Sequence, residues 1–213
     1  MTAATGVWLA LFAVLAVADW VAVVRDDDRM RWVTKPGALV ALIGAAIALV
    51  PFDGTVRVWM VAGLVLSLGG DVFLLLRNEM VGFPLGLVSF LLGHIAYVIG
   101  MAQAYESGAL LAVGVVLVLV AMAVVGRQVV GAVHRGEHPE LTGPVIAYMV
   151  VISAMVVAAF GTASPWAIVG ALLFYVSDAT LATNRFVRPL PQGHLAVMTT
   201  YHLGQLGLVL FLL

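Results

Sequence analysis

Two aspartates stand alone inside long apolar stretches, and they are the residues best placed for chemistry. Asp71 follows Gly63 by eight residues, and Asp178 follows Gly170 by eight. A small residue directly precedes each aspartate, and an Arg/Asn pair closes each segment. A charge at a bilayer centre costs at least about 2.5–3.5 kcal/mol and marks a functional site by default. We therefore predict that Asp71 and Asp178 form one catalytic pair.

The chemistry open to this pair is acid–base catalysis. Two carboxylates that face one cavity can share a proton, so that one acts as acid and the other as base. The competing interpretation is two structural aspartates, each satisfied by backbone groups or an arginine. His94 and His202 follow the aspartates by 23 and 24 residues. Because imidazole and carboxylate suit zinc, a zinc site stays an alternative, although we favour hydrogen bonding and expect neither metal nor cofactor.

Further polar side chains could contact a substrate. Tyr97 shares a helix face with His94, and Tyr201 shares another with Gln205. Basic residues at the ends of the apolar runs, Arg77 among them, could bind phosphate or could simply flank the membrane. The predicted substrate-binding residues are Lys35, His94, Tyr97, Asn184, Arg185, Tyr201, His202 and Gln205.

The composition indicates that the elements that position these residues lie in a membrane. Of 213 residues, 63% are hydrophobic and 10% are charged, whereas soluble domains carry about 25% charged residues. The net charge of -1 gives no sign of a nucleic-acid partner. The chain has no cysteine, which excludes disulfides and a thiol nucleophile. We predict a polytopic membrane protein.

Eight apolar runs are long enough to be membrane helices, given that a span needs about 20 residues. We predict an all-α bundle of eight transmembrane helices in a single integral-membrane domain, residues 1–213. Ala16–Ala18 resembles a signal-peptidase site, but no basic residue precedes the run, so we expect a retained helix. Pro36, Pro84, Pro144 and Pro165 are expected in first helical turns. The predicted helices are 4–24, 36–51, 56–76, 82–104, 108–126, 142–161, 164–183 and 193–213.

The basic residues predict the orientation. Nearly all lie in or beside the odd-numbered connections, and only Arg57 lies on the other side. The odd connections are therefore expected in the cytoplasm, with both termini outside. Both aspartates then lie roughly 9–11 Å below the cytoplasmic edge. Their matching settings predict a four-plus-four parallel internal repeat, with the site at its interface.

An ordered set of motifs between about residue 35 and the C-terminus resembles the YhhN/TMEM86 family. The motifs are Lys35-Pro36, Gly70-Asp71-x-Phe73-Leu74, Phe83-x-x-Gly86-x-x-Ser89-Phe90-x-x-Gly93-His94-x-x-Tyr97, Ser177-Asp178-x-x-Leu181-Ala182-x-Asn184-Arg185-Phe186 and Tyr201-x-x-x-Gln205. Family members are multi-pass membrane proteins, typically with eight helices. The animal members are lysoplasmalogenases, which split a vinyl ether into a fatty aldehyde and a glycerophospho-head group. The resemblance implies that Asp71 and Asp178 are the catalytic pair.

This reaction suits two carboxylates. A vinyl ether is hydrolysed by protonation at carbon, and water then traps the oxocarbenium ion; one acid and one carboxylate suffice. The implied partners are a lysophospholipid and the cell membrane, with the site in the cytoplasmic half. The alternatives are a zinc-dependent lipid amidase or esterase, a proton-coupled transporter, and a lipid-binding regulator without turnover. The sequence leaves the oligomeric state open.

Overall fold

The computed structural model describes residues 2–76 and 78–213, and within these ranges every regular element is helical. The α-helices are α1 (Ala3–Val24), α2 (Asp28–Ala48), α3 (Gly54–Leu74), α4 (Glu79–Gln103), α5 (Gly108–Ala121), α6 (Arg127–Arg135), α7 (Thr142–Gly161), α8 (Pro165–Ala182) and α9 (Gly193–Leu210). Two π turns, Met122–Gly126 and Thr183–Val187, and a short 3₁₀ turn at Pro139–Leu141 complete the described elements.

These elements form eight long helical segments in the described part of the chain, which confirms the predicted all-α membrane bundle. The π turn Met122–Gly126 joins α5 and α6 into one helix, Gly108–Arg135. Seven of the segments are long and apolar enough to cross a membrane. The eighth, α9, is more polar because it carries Tyr201, His202 and Gln205, all of which are buried inside the protein.

Two prolines lie deeper in their helices than predicted. Helix α2 begins at Asp28, not at residue 36, because the Asp27 side chain caps it by accepting the N–H of Met30. Pro36 is therefore inside the helix, and Lys35 is its eighth residue. Pro84 likewise lies inside α4. The prediction read each proline as a helix start because proline suits the first turn, and here that inference was wrong.

The fifth helix is longer than predicted. It continues past residue 126 to Arg135, although charged and polar residues begin at Arg127. Val129 and Val133 are one turn apart and pack with Val145 of α7 in a small apolar cluster. The extension is thus stabilised by one buried stripe on an otherwise polar helix.

Three antiparallel hairpins, α1–α2, α3–α4 and α8–α9, provide the closest helix packing. In the last hairpin, a Cβ on Gly170 would lie only 2.7 Å from the backbone N of Leu208 and 2.9 Å from the carbonyl O of Gly204. Glycine is therefore required for this approach. Helix α9 also contacts α1, α2 and α3, so it lies centrally. The four-plus-four repeat stays a prediction, and the basic-edge prediction for Arg77 lies outside the described residues.

Candidate active site

Both aspartates line the same cavity, which has a volume of about 100 Å³. Lys35 of α2, Tyr148 of α7 and Tyr201 of α9 contribute polar groups to its wall. The rest of the lining is mostly aliphatic and aromatic. A volume of this size admits several water molecules, so the carboxylates face a space in which water and a substrate group could meet.

Asp71 lies in the last turn of α3 and is completely buried. Its Oδ1 lies 3.1 Å from the Lys35 Nζ, and its Oδ2 accepts a 2.7 Å hydrogen bond from the Tyr201 hydroxyl. Lys35 is itself 5% exposed, so the ion pair is shielded from water. Both oxygens of Asp71 therefore face donors, one of them an ammonium, which is the environment of a carboxylate.

Asp178 has a different set of neighbours. Its Oδ2 accepts a 2.5 Å hydrogen bond from the Tyr148 hydroxyl, and His94 Nε2 lies 4.0 Å from the same oxygen. The Asp178 side chain is 17% exposed, compared with 1% for Asp71. No lysine or arginine within residues 2–76 and 78–213 forms an ion pair with Asp178. Asp178 thus has one neutral phenol donor and keeps an oxygen accessible.

Tyr148 is the main residue of the candidate site that the sequence did not predict. It is nine-tenths buried, lines the cavity and donates the closest hydrogen bond that Asp178 receives in the described structure. The available signal was a phenol in the middle of the apolar run 142–161. Buried tyrosines usually need a partner for the hydroxyl, and that need could have identified it.

His94 lies behind Asp178 rather than in the cavity wall. It is 1% exposed, and its ring packs edge-on against Phe174 and Tyr148. Neither ring nitrogen has a hydrogen-bond partner among the described residues. Of the sequence-predicted substrate contacts, His94 is therefore the one that lies near an aspartate without lining the cavity.

Three other predicted contacts tie helices together away from the cavity. The Tyr97 hydroxyl donates a 2.7 Å hydrogen bond to Gln205 Oε1, which links α4 to α9. His202 Nδ1 accepts a 3.0 Å hydrogen bond from the Trp20 indole of α1. These side chains are buried and each forms one hydrogen bond to another helix, so their geometry is that of helix-packing residues.

The two predicted substrate-binding residues at the end of α8 differ in their position relative to the cavity. Asn184 accepts a 2.8 Å hydrogen bond from the Leu190 N–H and thereby holds the connection to α9. Arg185 lines the cavity, and its guanidinium lies 3.9 Å above the centre of the Phe83 ring. Of the predicted substrate contacts, Lys35, Arg185 and Tyr201 therefore line the cavity.

A second buried carboxylate cluster lies close to Lys35. Asp19 of α1 is fully buried and accepts a 3.0 Å hydrogen bond from the Thr34 hydroxyl. The Arg31 Nε lies 3.9 Å from the same carboxylate. Since Thr34 directly precedes Lys35, one segment of α2 contacts two buried aspartates.

The histidines and aspartates do not assemble a metal site in the described part of the chain. No group of three or more histidine, aspartate or glutamate side chains there could hold an ion. His202 is engaged by Trp20, and His94 lies beside Asp178 alone. The ligand set of the zinc alternative is therefore not brought together by this fold.

The sequence of the chain is similar to that of proteins from one family. The model of the YhhN family matches residues 30–212. Human "Lysoplasmalogenase TMEM86B" is 29% identical over 209 residues, covering 95% of this chain and 85% of the relative. "Lysoplasmalogenase" of Mycobacterium bovis is 36% identical over 154 residues, covering 70% of this chain. Bovine "Lysoplasmalogenase TMEM86A" is 31% identical over 163 residues, also covering 70%.

The alignments cover different fractions of the relatives' own lengths. The alignments cover 58% of the mycobacterial protein and 62% of the bovine one. The chain therefore spans less than two thirds of those two proteins and most of the human one. No solved structure matches the chain. Because the family model extends over most of the sequence, including both aspartate helices, the chain belongs to the YhhN family.

Proposed function

We propose that this protein is a membrane-embedded hydrolase that cleaves the vinyl ether of a lysoplasmalogen into a fatty aldehyde and a glycerophospho-head group. The observation that carries the proposal is the pair of aspartates, Asp71 and Asp178, on one largely apolar cavity. Relatives named lysoplasmalogenase, which align over 70–95% of the chain, support the substrate class.

Asp178 is the proton donor in this mechanism. Its only close donor among the described residues is the Tyr148 phenol, which occupies Oδ2. A carboxylic acid needs one oxygen free to carry its proton, and Asp178 Oδ1 meets that need. Protonation of the vinyl ether at its outer carbon gives an oxocarbenium ion, and Asp178 becomes a carboxylate.

Asp71 is the base. Lys35 and Tyr201 both donate toward it, which suits a group that enters the reaction as a carboxylate. Water adds to the oxocarbenium carbon and gives a proton to Asp71, forming a hemiacetal. Lys35 thus acts on Asp71, and this replaces the predicted role of Lys35 as a phosphate ligand.

Breakdown of the hemiacetal restores both groups. Asp71 returns its proton to the departing glyceryl oxygen, while Asp178 takes the proton of the hemiacetal hydroxyl. The carbon–oxygen bond to glycerol breaks, and the aldehyde forms. One water is consumed, and both aspartates regain their starting protonation, so neither a metal nor a nucleophilic serine is needed.

The head group is expected at the end of α8. Arg185 follows Asp178 by seven residues, which is about 10 Å along a helix, and a guanidinium pairs well with phosphate. Stacking on Phe83 holds this guanidinium beside the cavity. With the basic connections in the cytoplasm, the site lies in the cytoplasmic half of the bilayer and both termini lie outside.

The test uses purified protein in detergent, incubated with a lysoplasmalogen or with the matching acyl lysolipid. We expect aldehyde from the first and no fatty acid from the second. In D₂O, protonation at carbon must place one deuterium next to the carbonyl of the aldehyde. Fatty acid release would contradict the proposal, as would an aldehyde without deuterium, and pH-driven uptake without product would indicate a transporter.

A further inference from the structure

We infer that the side of the cavity formed by the π turn Met122–Gly126, α6 and α7 binds the single hydrocarbon chain of the substrate, and that Gly126 keeps this subsite open. The inference rests on the proposed function, because it takes the substrate to be a one-chain lipid. It assigns a binding role to the π turn between α5 and α6, which takes no part in the proposed catalytic mechanism.

The lining on this side is hydrocarbon. The α5–α6 helix contributes Val125, Gly126 and Val129, and none of their side chains carries a nitrogen or oxygen. From α7, Val145 and Met149 continue the same wall. An apolar wall of this kind favours an alkyl chain through the hydrophobic effect.

The polar side chains of the cavity, except that of Tyr148, come from other elements. Lys35, Asp71 and Tyr201 lie on α2, α3 and α9, whereas α5 and α6 pack against α7 and the π turn after α8. Tyr148 of α7 stands between the two regions, with its hydroxyl on Asp178. A vinyl ether held at Asp178 can therefore place its alkenyl chain along α7 and its glyceryl oxygen toward the polar helices.

The apolar wall also belongs to a separate hydrophobic cluster. Val129, Val133 and Val145 form its buried centre, apart from the main core of the bundle. Partly buried side chains surround it, including Val125 and Met149. These partly buried side chains can accept further apolar contact, which a bound chain supplies.

The absence of a side chain at Gly126 leaves space on this side of the cavity. A Cβ placed there would lie 2.9 Å from the Met149 Cε and 3.2 Å from the Met122 Sδ. Both contacts are with the ends of flexible side chains, so a larger residue would displace Met149, which itself lines the cavity. Gly126 is the last residue of the π turn, and such turns often mark functional sites within helices.

The experiment compares Gly126→Leu with the wild type on lysoplasmalogens of one head group and increasing chain length. We expect kcat/KM for the longest chain to fall by at least about tenfold, with a smaller loss for a short chain. Gly126→Ala should show the same trend more weakly. It also keeps the test valid if the leucine variant does not fold.

Gly131→Leu is the matched control. It lies on the same helix outside the cavity lining, and the three atoms nearest to a Cβ there belong to the guanidinium of Arg135, so its chain-length profile should match the wild type. Equal losses on all chains in the Gly126 variants, or no loss, would overturn the subsite. Failure of the wild type to cleave any lysoplasmalogen would instead overturn the proposed function.

Discussion

The two aspartates have similar sequence settings and different tertiary environments. Asp71 is fully buried between an ammonium and a phenol. Asp178 is partly exposed to the cavity and has one phenol as its close donor in the described structure. The two environments differ in Lys35 of α2, which pairs with Asp71. Among the described residues, Asp178 has no corresponding lysine. In the proposed mechanism, the protonation roles of the two aspartates therefore depend on a third helix.

The tyrosines make the comparison more specific. Tyr201 on α9 donates a hydrogen bond to Asp71, and Tyr148 on α7 donates one to Asp178. Both are buried and both line the cavity. Because the phenol is common to both sites, the lysine and the exposure account for the difference. Variants that remove one of these features at a time test which of them makes the two aspartates different.

The largest effect is expected for Asp178→Asn. Without the proton donor, kcat should fall by about 10²–10⁴, while the melting temperature in detergent stays close to that of the wild type. The asparagine carbonyl can still accept the hydrogen bond from Tyr148. Turnover at the wild-type rate would exclude Asp178 as the acid.

Asp71→Asn should also lower turnover strongly, though less than Asp178→Asn, and it should destabilise the protein as well. Lys35 would be left buried without a carboxylate, and breaking a buried pair costs about 3–5 kcal/mol. The double variant Lys35→Met/Asp71→Asn should regain stability without regaining activity. Thermal unfolding in detergent measures the first effect and aldehyde release the second. Equal stability of Asp71→Asn and Asp178→Asn would contradict the assignment of the ion pair.

Tyr148→Phe and Tyr201→Phe form a matched pair with a smaller effect. Tyr148 donates to the carboxylate that Asp178 becomes on proton transfer, and a hydrogen bond to a charged group contributes about 1.5–3 kcal/mol. We therefore expect kcat to fall by about tenfold or more in Tyr148→Phe, with KM unchanged. Tyr201→Phe should lose less, because Lys35 still holds Asp71.

A non-cleavable alkyl-ether lysolipid separates positioning from folding in this pair. Its binding should be the same in the wild type and in Tyr148→Phe, since the chain and head-group contacts remain. Weaker binding in step with the loss of kcat would instead mean that Tyr148 supports the shape of the cavity.

The smallest effect on catalysis is expected for Tyr97→Phe. Its hydroxyl contacts Gln205 and lies outside the cavity wall, so turnover per folded molecule should not change. Stability should fall by about 1–3 kcal/mol, because a buried carbonyl loses its donor. A specific loss of kcat at full stability would return Tyr97 to the substrate site.

Much of the fold was predictable because membrane helices are defined by local composition. Eight apolar runs predicted eight helical segments, and lone aspartates within two of them predicted the candidate site. Two boundaries were predicted wrongly: Pro36 does not begin its helix because the Asp27 cap starts it earlier, and Arg127 does not end its helix because a valine stripe buried against α7 continues it. The relation of α3–α4 to α8–α9 as a repeat remains a prediction.

The partners of the predicted polar residues were not predictable. His94, Tyr97, His202 and Gln205 all lie on helices near the aspartates, but helical spacing gives only the face and not the neighbour. Tyr97 and Gln205 are 108 residues apart and bond to each other, while Tyr148 bonds to Asp178. Such pairings depend on how helices pack, which the pattern within one helix does not contain.

The sequence alone identifies a helical membrane protein with two aspartates in apolar segments, because hydrophobicity and lone charges act through local transfer free energies. The pairing of Lys35 with Asp71, the pairing of Tyr148 with Asp178, and the position of Gly126 beside their common cavity emerge only from the packing of the helices. Those outcomes depend on contacts between helices distant in sequence. They explain how two similar segments can hold two unlike carboxylates.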